Sequence, residues 1–199
     1  MRLNDKVSLV ASGELSMSMT HFSDCNVYLV DCGQESVLID AGTGLAGDDV
    51  IRNIDKELVN PLTHILVTHH HADHIGGLEA LRKYYHAKVI VPEEEEESIR
   101  EGDEVKNGLQ VARAAGYYPS DYRIRGCETD LAVQSGDRLW ISEEEILVYD
   151  GAGHSLGGVC YYFPKHKMIF VGDLVMAGGY INLQNIPGAD IGKYARSVI

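Results

Sequence analysis

The feature that most constrains this chain is a dense group of metal-ligating side chains in residues 69–74, HHHADH. His69 and His71 are two residues apart, directly after an apolar run of strand length, so both imidazoles leave the strand end on the same side. Asp73 continues that register, and His74 arrives as the chain turns. Imidazole and carboxylate are ligands for Zn²⁺ and comparable cations, and a catalytic site needs about three of them with one position open. The group therefore predicts a metal site, and it carries enough ligands to contribute to two neighbouring metal sites.

Two further segments carry ligand-type residues at the ends of apolar runs. His154 lies in the glycine-rich sequence GAGHSLGG at 151–158, and Asp173 ends the run MIFVGD at 168–173. Either signal alone is weak, but the order and the repeated position after a strand indicate that all three segments meet at one site. His70 faces the other way in an extended register, so we expect a supporting or merely exposed side chain there.

The pattern along the chain predicts one α/β domain over residues 1–199. A β-hairpin is expected at 26–40, a short helix at 78–85, and a strand on each side of that helix, which favours a partly parallel sheet. The second half is dominated by strand-length runs. The chain therefore reads as two β-rich halves that form two packed sheets with helices outside.

Charge and composition exclude several classes of partner. Lys and Arg number 17 against 30 Asp and Glu, and the formal net charge of -13 opposes binding to nucleic acid or to an anionic membrane. No apolar run approaches the roughly 20 residues that span a bilayer, and the first residues do not resemble a secretory signal. We therefore expect a cytoplasmic protein that acts on a small molecule, and a homo-oligomer stays open.

We assign no catalytic or binding role to two other features of the sequence. The glutamate run at 93–97 is predicted to be the solvated first turn of a helix, where carboxylates complement the helix dipole. Tyr117, Tyr118 and Tyr122 are compatible with the mouth of a pocket, but tyrosines in a loop over a core more often serve packing.

The histidine-rich segment resembles the HxHxDH signature of the metallo-β-lactamase superfamily. The resemblance extends from LIDAG at 38–42 through GAGHSLGG to VGD, and so covers nearly the whole chain. It implies the family's fold, a four-layer αββα sandwich of two mixed β-sheets flanked by helices. The site is then expected at the edge between the two sheets.

The resemblance also implies a role for individual residues. Two divalent metal ions are expected, with zinc ahead of iron or manganese, and their implied ligands are His69, His71, Asp73, His74, His154 and Asp173. The first ion would be held by His69, His71 and His154, the second by Asp73 and His74, and Asp173 would bridge both. Asp73 would also be catalytic, by orienting water or carrying a proton. Asp40 would support the site by orienting a ligand without touching a metal.

The implied activity is hydrolysis of a small ester, thioester or lactone by a metal-bound hydroxide. Two alternatives from other classes stay open. One is an iron-dependent oxidoreductase of the persulfide dioxygenase type, because the same scaffold also carries iron. The other is a non-catalytic metal-binding relative.

One departure from the family pattern concerns the second metal. Members normally supply it with one more histidine from near the C-terminus, and none of the nine histidines here lies beyond His166. Three explanations compete: a truncated chain, a partner or other residue that completes the site, or a degraded relative. We favour truncation, and so expect the fold to lack its C-terminal portion.

Overall fold

The computed structural model describes all 199 residues and contains ten strands and six helices. The strands are β1 Val7–Ala11, β2 Val27–Asp31, β3 Ser36–Ile39, β4 Leu62–Leu66, β5 Lys88–Pro92, β6 Leu131–Val133, β7 Arg138–Ile141, β8 Glu144–Asp150, β9 Val159–Phe163 and β10 Met168–Phe170. The helices are α1 Gly47–Glu57, α2 Ala72–Ile75, α3 Leu78–Tyr85, α4 Glu96–Glu101, α5 Leu109–Ala114 and α6 Ile191–Ser197. None of these helices combines the length and the apolar character that a bilayer crossing demands.

The strands form two sheets. The first has six strands in the order β1-β2-β3-β4-β5-β6; it is antiparallel from β1 to β3 and parallel from β3 to β6. The second has four strands in the order β10-β9-β8-β7 and is antiparallel throughout. The expectation of two mixed sheets is therefore wrong for the second one. Its neighbouring strands follow one another along the chain without a crossover helix, and that connection produces antiparallel pairs.

Two hydrophobic clusters explain the layers. On β3, Val37 and Ile39 face the cluster between the two sheets, whereas Leu38 faces the cluster under the helices. This alternation is the two-residue period of a strand, with both faces covered. Ile54 of α1 and Leu78 of α3 pack in the same cluster as Leu38, the one under the helices. The helices thus cover the outer face of the six-stranded sheet.

The fourth layer comes from α6. Tyr194 of this helix packs with Cys160 of β9 and with Leu174, on the side of the four-stranded sheet that faces away from the other sheet. The αββα arrangement expected from the sequence is confirmed. The hairpin at 26–40 and the helix at 78–85 are also present, whereas the fully buried edge strand β1 was not among the predicted elements.

The chain is tightly packed around Gly76, which follows α2. A Cβ atom at Gly76 would lie 2.1 Å from Tyr122 Oη and 2.2 Å from the Thr43 carbonyl oxygen. Because the carbonyl is backbone, we expect Gly76→Ala to lower the free energy of unfolding by about 1–3 kcal/mol, the usual cost of overpacking. Urea denaturation measures this. The control Gly47→Ala, which meets nothing within 4 Å, should be neutral or slightly stabilising; equal stability of the two variants would contradict the prediction.

Candidate metal centre

The predicted ligands lie on three segments that follow strand ends. His69 and His71 come after β4, and His71 is the residue that immediately precedes α2. His154 lies in the loop between β8 and β9, and Asp173 follows β10. Strand β4 belongs to the six-stranded sheet, whereas β8, β9 and β10 belong to the four-stranded sheet. The site therefore lies where the ends of both sheets meet.

Three imidazoles converge in the first cluster. His71 Nδ1 lies 3.0 Å from His69 Nε2 and 2.9 Å from His154 Nε2. The three residues are 3%, 6% and 2% exposed, in chain order. A tetrahedral zinc ion with Zn–N distances of about 2.0–2.1 Å separates its nitrogens by about 3.3 Å, close to this spacing.

The hydrogen bonds of these rings assign their tautomers. His154 Nδ1 donates to the Asn182 carbonyl oxygen at 2.5 Å, so its Nε2 turns a bare lone pair towards the cluster. Thr68 Oγ1 donates to Asp40 at 2.8 Å and can only accept from His69 Nδ1, 3.1 Å away. His69 Nε2 is therefore also a bare lone pair. A single proton on His71 Nδ1 can form a hydrogen bond with only one of the two acceptors, His69 Nε2 or His154 Nε2. A cation bound between the three nitrogens would interact with all three lone pairs.

The protonation states agree with this arrangement. Burial, reinforced by the neighbouring histidines, lowers the pKa of His69 and of His71 well below the ordinary value. Burial also lowers the pKa of His154. All three rings are therefore neutral near pH 7, which is the form that binds metals. The residues of the first cluster fit a divalent ion.

The second cluster surrounds His74. Its Nε2 lies 3.3 Å from Asp173 Oδ1 and 3.5 Å from Asp73 Oδ2, and it is buried without a hydrogen-bond partner. Burial alone would lower the pKa of His74, but neighbouring acidic groups, among them the Asp40, Asp73 and Asp173 carboxylates, outweigh it and raise that pKa well above the ordinary value. Burial raises the pKa of Asp73 to about 6. Several acidic groups thus share one imidazole, a charge balance that a bound cation would complete.

Asp173 lies between the two clusters. Its Oδ2 atom is 3.5 Å from His154 Nε2, while Oδ1 faces His74 in the second cluster. Burial would raise the pKa of Asp173, but His74, His154 and His71 outweigh it and keep the carboxylate ionised. The Asn182 side chain fixes it further by donating to Oδ2 at 2.9 Å. Asp173 is therefore within reach of a cation in either cluster.

Asp40 contacts the site from behind. It follows β3 with a left-handed backbone, φ 62°, and is 2% exposed. Its carboxylate accepts from Thr68 N at 2.7 Å, from Thr68 Oγ1 at 2.8 Å and from His74 Nδ1 at 2.8 Å. This leaves His74 Nε2 to face the other carboxylates. A positive φ is unusual for a residue other than glycine, and such strain is often found at functional sites.

Cys25 is the least suitable ligand nearby. Its thiol, Asp40 and His74 offer ligand atoms within 4.8 Å of one another. Burial raises the pKa of Cys25 to about 12, however, so the thiol stays protonated near neutral pH, whereas metals bind the thiolate. Asp40 is also already occupied by its three donors. This group therefore supports the neighbouring clusters and is a poor metal site itself.

Comparison with known proteins decides the family. The model of the metallo-beta-lactamase superfamily matches residues 22–198. The chain belongs to this superfamily. A superfamily structure, the BLEG-1 B3 metallo-beta-lactamase, superposes with a TM-score of 0.77 at 24% identity, covering 96% of this chain and 83% of that one. This likeness bears on the fold alone, and it agrees with the αββα sandwich.

The chain is also similar in sequence to a named thioesterase and to a named hydrolase. The acyl-coenzyme A thioesterase MBLAC2 of Bos taurus is 29% identical over 174 residues, 79% of this chain and 60% of that protein. The hydroxyacylglutathione hydrolase of Bartonella quintana is 32% identical over 115 residues, 58% of this chain and 35% of that protein. The chain thus spans less than two thirds of the length of these relatives.

The structure brings together all seven residues that the superfamily resemblance pointed to, and it corrects two other expectations. Glu95, predicted to be solvated, is fully buried and accepts hydrogen bonds from His70 N and Gly157 N. His70 is 1% exposed, so the exposed alternative for it is wrong. The position of Glu95 just after the parallel strand β5, beside β4, was the available signal, because such strands end at the same edge.

Two of the three tyrosines, Tyr118 and Tyr122, pack against each other. Tyr122 is buried in the cluster under the helices and donates to the Thr43 carbonyl oxygen at 2.6 Å, which is a packing role. Tyr118 stacks on Tyr122 with ring centroids 5.1 Å apart, and Tyr117 is exposed. Burial, together with the nearby Asp73 carboxylate, raises the pKa of Tyr118.

Proposed function

We propose that this protein is a metal-dependent hydrolase that binds two divalent ions, zinc in the first instance, and cleaves a small thioester, ester or lactone. The observation that carries the proposal is the first cluster, where two bare imidazole lone pairs converge on His71 beside the shared Asp173. Thioesters come first among the substrates because the relatives are named for acyl-coenzyme A and hydroxyacylglutathione. The charge of -13 supports a small-molecule substrate over nucleic acid or an anionic membrane.

Divalent ions at the two clusters would supply Lewis acidity, which activates water and polarises a carbonyl group. The chain's own residues determine where that chemistry is accessible. The histidine side chains are almost completely buried, whereas the Asp73 and Asp173 side chains are 28% and 23% exposed. The carboxylates therefore form the open side of the site, and a substrate approaches from there.

Asp73 is proposed as the proton carrier on that open side. A general acid or base works best when its pKa lies near the working pH. In the metal-free protein, burial raises the pKa of Asp73 to about 6, and the side chain, 28% exposed, keeps contact with solvent on the open side of the site. His74 has its Nδ1 bonded to Asp40, and so holds a fixed position beside Asp73. Asp73 can thus take a proton from water and return it to a leaving thiolate or alkoxide.

The test uses the purified chain, depleted of metal and then loaded with zinc. An acyl-coenzyme A, an S-acylglutathione, an aryl ester, a lactone and a chromogenic β-lactam are assayed, with thiol release followed for the thioesters. We expect zinc-dependent turnover of at least one thioester. Silence across the panel with both clusters loaded would contradict the proposal. Elemental analysis of the protein as isolated adds a second criterion: two zinc ions support hydrolysis, and a single iron supports the dioxygenase alternative.

A further inference from the structure

Glu95 connects two segments that carry candidate ligands. Its Oε2 atom accepts a hydrogen bond from His70 N at 2.6 Å, and Oε1 accepts one from Gly157 N at 2.8 Å. The side chain is fully buried, and both donors are backbone amides. A buried amide requires a partner, and an ionised acceptor gives the stronger bond. Each carboxylate oxygen therefore holds one segment.

The two segments come from different sheets. His70 lies between His69 and His71, after β4 of the six-stranded sheet, whereas Gly157 lies three residues beyond His154 in the loop between β8 and β9. Apart from Glu95, a backbone bond from Val159 N to the Thr68 carbonyl oxygen, 2.9 Å long, joins these segments. Glu95 thus acts with this backbone bond to set the distance between the His154 loop and the other two imidazoles.

The surroundings of Glu95 are built for this contact. A Cβ atom at Gly157 would lie 2.4 Å from Glu94 Cβ, so the loop approaches the glutamate segment as closely as glycine allows. On the other side, the buried His70 ring lies with Nε2 3.8 Å from Glu95 Oε1, and neither ring nitrogen has a hydrogen-bond partner. The ring therefore shields the carboxylate from water without competing for its two oxygens.

We propose that Glu95 is a positioning residue of the metal centre, which fixes the spacing between the His69–His71 pair and His154. The inference rests on the proposed function, because it assumes that these imidazoles bind a metal ion. Supporting groups that orient metal ligands typically contribute 10–100-fold to metal affinity. Glu95 acts in the same way, through the backbone of both ligand segments.

The test compares Glu95→Gln with Glu93→Gln. The amide at 95 keeps one acceptor oxygen but turns an NH₂ group towards the other backbone N–H, so one segment is released. We expect zinc affinity at the tighter site to fall by about 10–100-fold in competition with a chromophoric chelator. The absorption bands of the cobalt(II)-loaded protein should shift as well. Glu93 is exposed and forms no ion pair, so Glu93→Gln makes the same charge change and should leave both readouts unaltered.

The outcomes separate this inference from the proposed function. Wild-type protein that binds no zinc would overturn the function itself. Wild-type protein that binds zinc tightly, with Glu95→Gln equal to it in affinity and in cobalt spectrum, would overturn only the role of Glu95, even if thermal stability falls. Should Glu95→Gln fail to fold, Glu95→Asp decides. It keeps both oxygens on a shorter arm, so a smaller loss of zinc affinity supports the role and unchanged affinity overturns it.

Discussion

Replacing His71 with alanine is expected to remove tight zinc binding at the first cluster and to lower the rate of hydrolysis about 1,000-fold. His71 Nδ1 is the atom on which the His69 and His154 lone pairs converge, so its loss leaves two ligands where a catalytic site needs about three. Metal assistance contributes several kcal/mol to such reactions, and each 1.36 kcal/mol is a factor of ten in rate. Zinc content after dialysis and kcat/KM on the best thioester of the panel measure the two effects.

The matched control for this variant is His86→Ala. His86 follows α3, is exposed, and its side chain makes no hydrogen bond, so the control should keep both zinc and activity. Urea denaturation of both variants checks that neither result comes from unfolding. A folded His71→Ala protein that stays active without metal would refute the proposed function.

The fold was largely predictable because its signals are local. Apolar runs of strand length and the helical stripe at 78–85 mark most elements without reference to the rest of the chain. The pairing of strands is different, because it depends on contacts between distant segments. Nothing within β7 or β10 states that each lies at an edge of an antiparallel sheet, and the expectation of a mixed second sheet came from the family resemblance.

The site also contains residues that the sequence could reveal and residues that it could not. The histidines and aspartates stand out in the sequence because their side chains carry the chemistry. Glu95 could not be distinguished from the other glutamates of its run, since what sets it apart is burial against two distant amides. Asn182 gives no signal for its contact with His154, because the acceptor is a backbone carbonyl that every residue has. Thr68 likewise acts only through Asp40 and His69.

Zinc affinity is expected to depend on pH more steeply at the second cluster than at the first. In the metal-free protein the pKa of His74 is raised well above its ordinary 6.5, so the ring is protonated at pH 6–8 and must release a proton when zinc binds Nε2. Affinity there should rise about tenfold per pH unit, or about 100-fold from pH 6 to pH 8, and level off above the pKa. Below pH 6, protonation of Asp73 steepens the dependence.

The first cluster provides the internal control, because the lowered pKa values of His69, His71 and His154 leave these rings neutral at pH 7 and above, with no imidazole proton to displace there. Calorimetric titration with zinc at pH 6, 7 and 8, in buffers of different ionisation enthalpy, yields both affinities and the protons released per site. One more proton released at the weaker site than at the tighter site is the expected result, because ionisation of metal-bound water adds protons that do not come from the imidazoles. Equal proton release at the two sites would mean that the carboxylates around His74 do not hold its proton, and the division into a neutral cluster and an acidic cluster would fail with it.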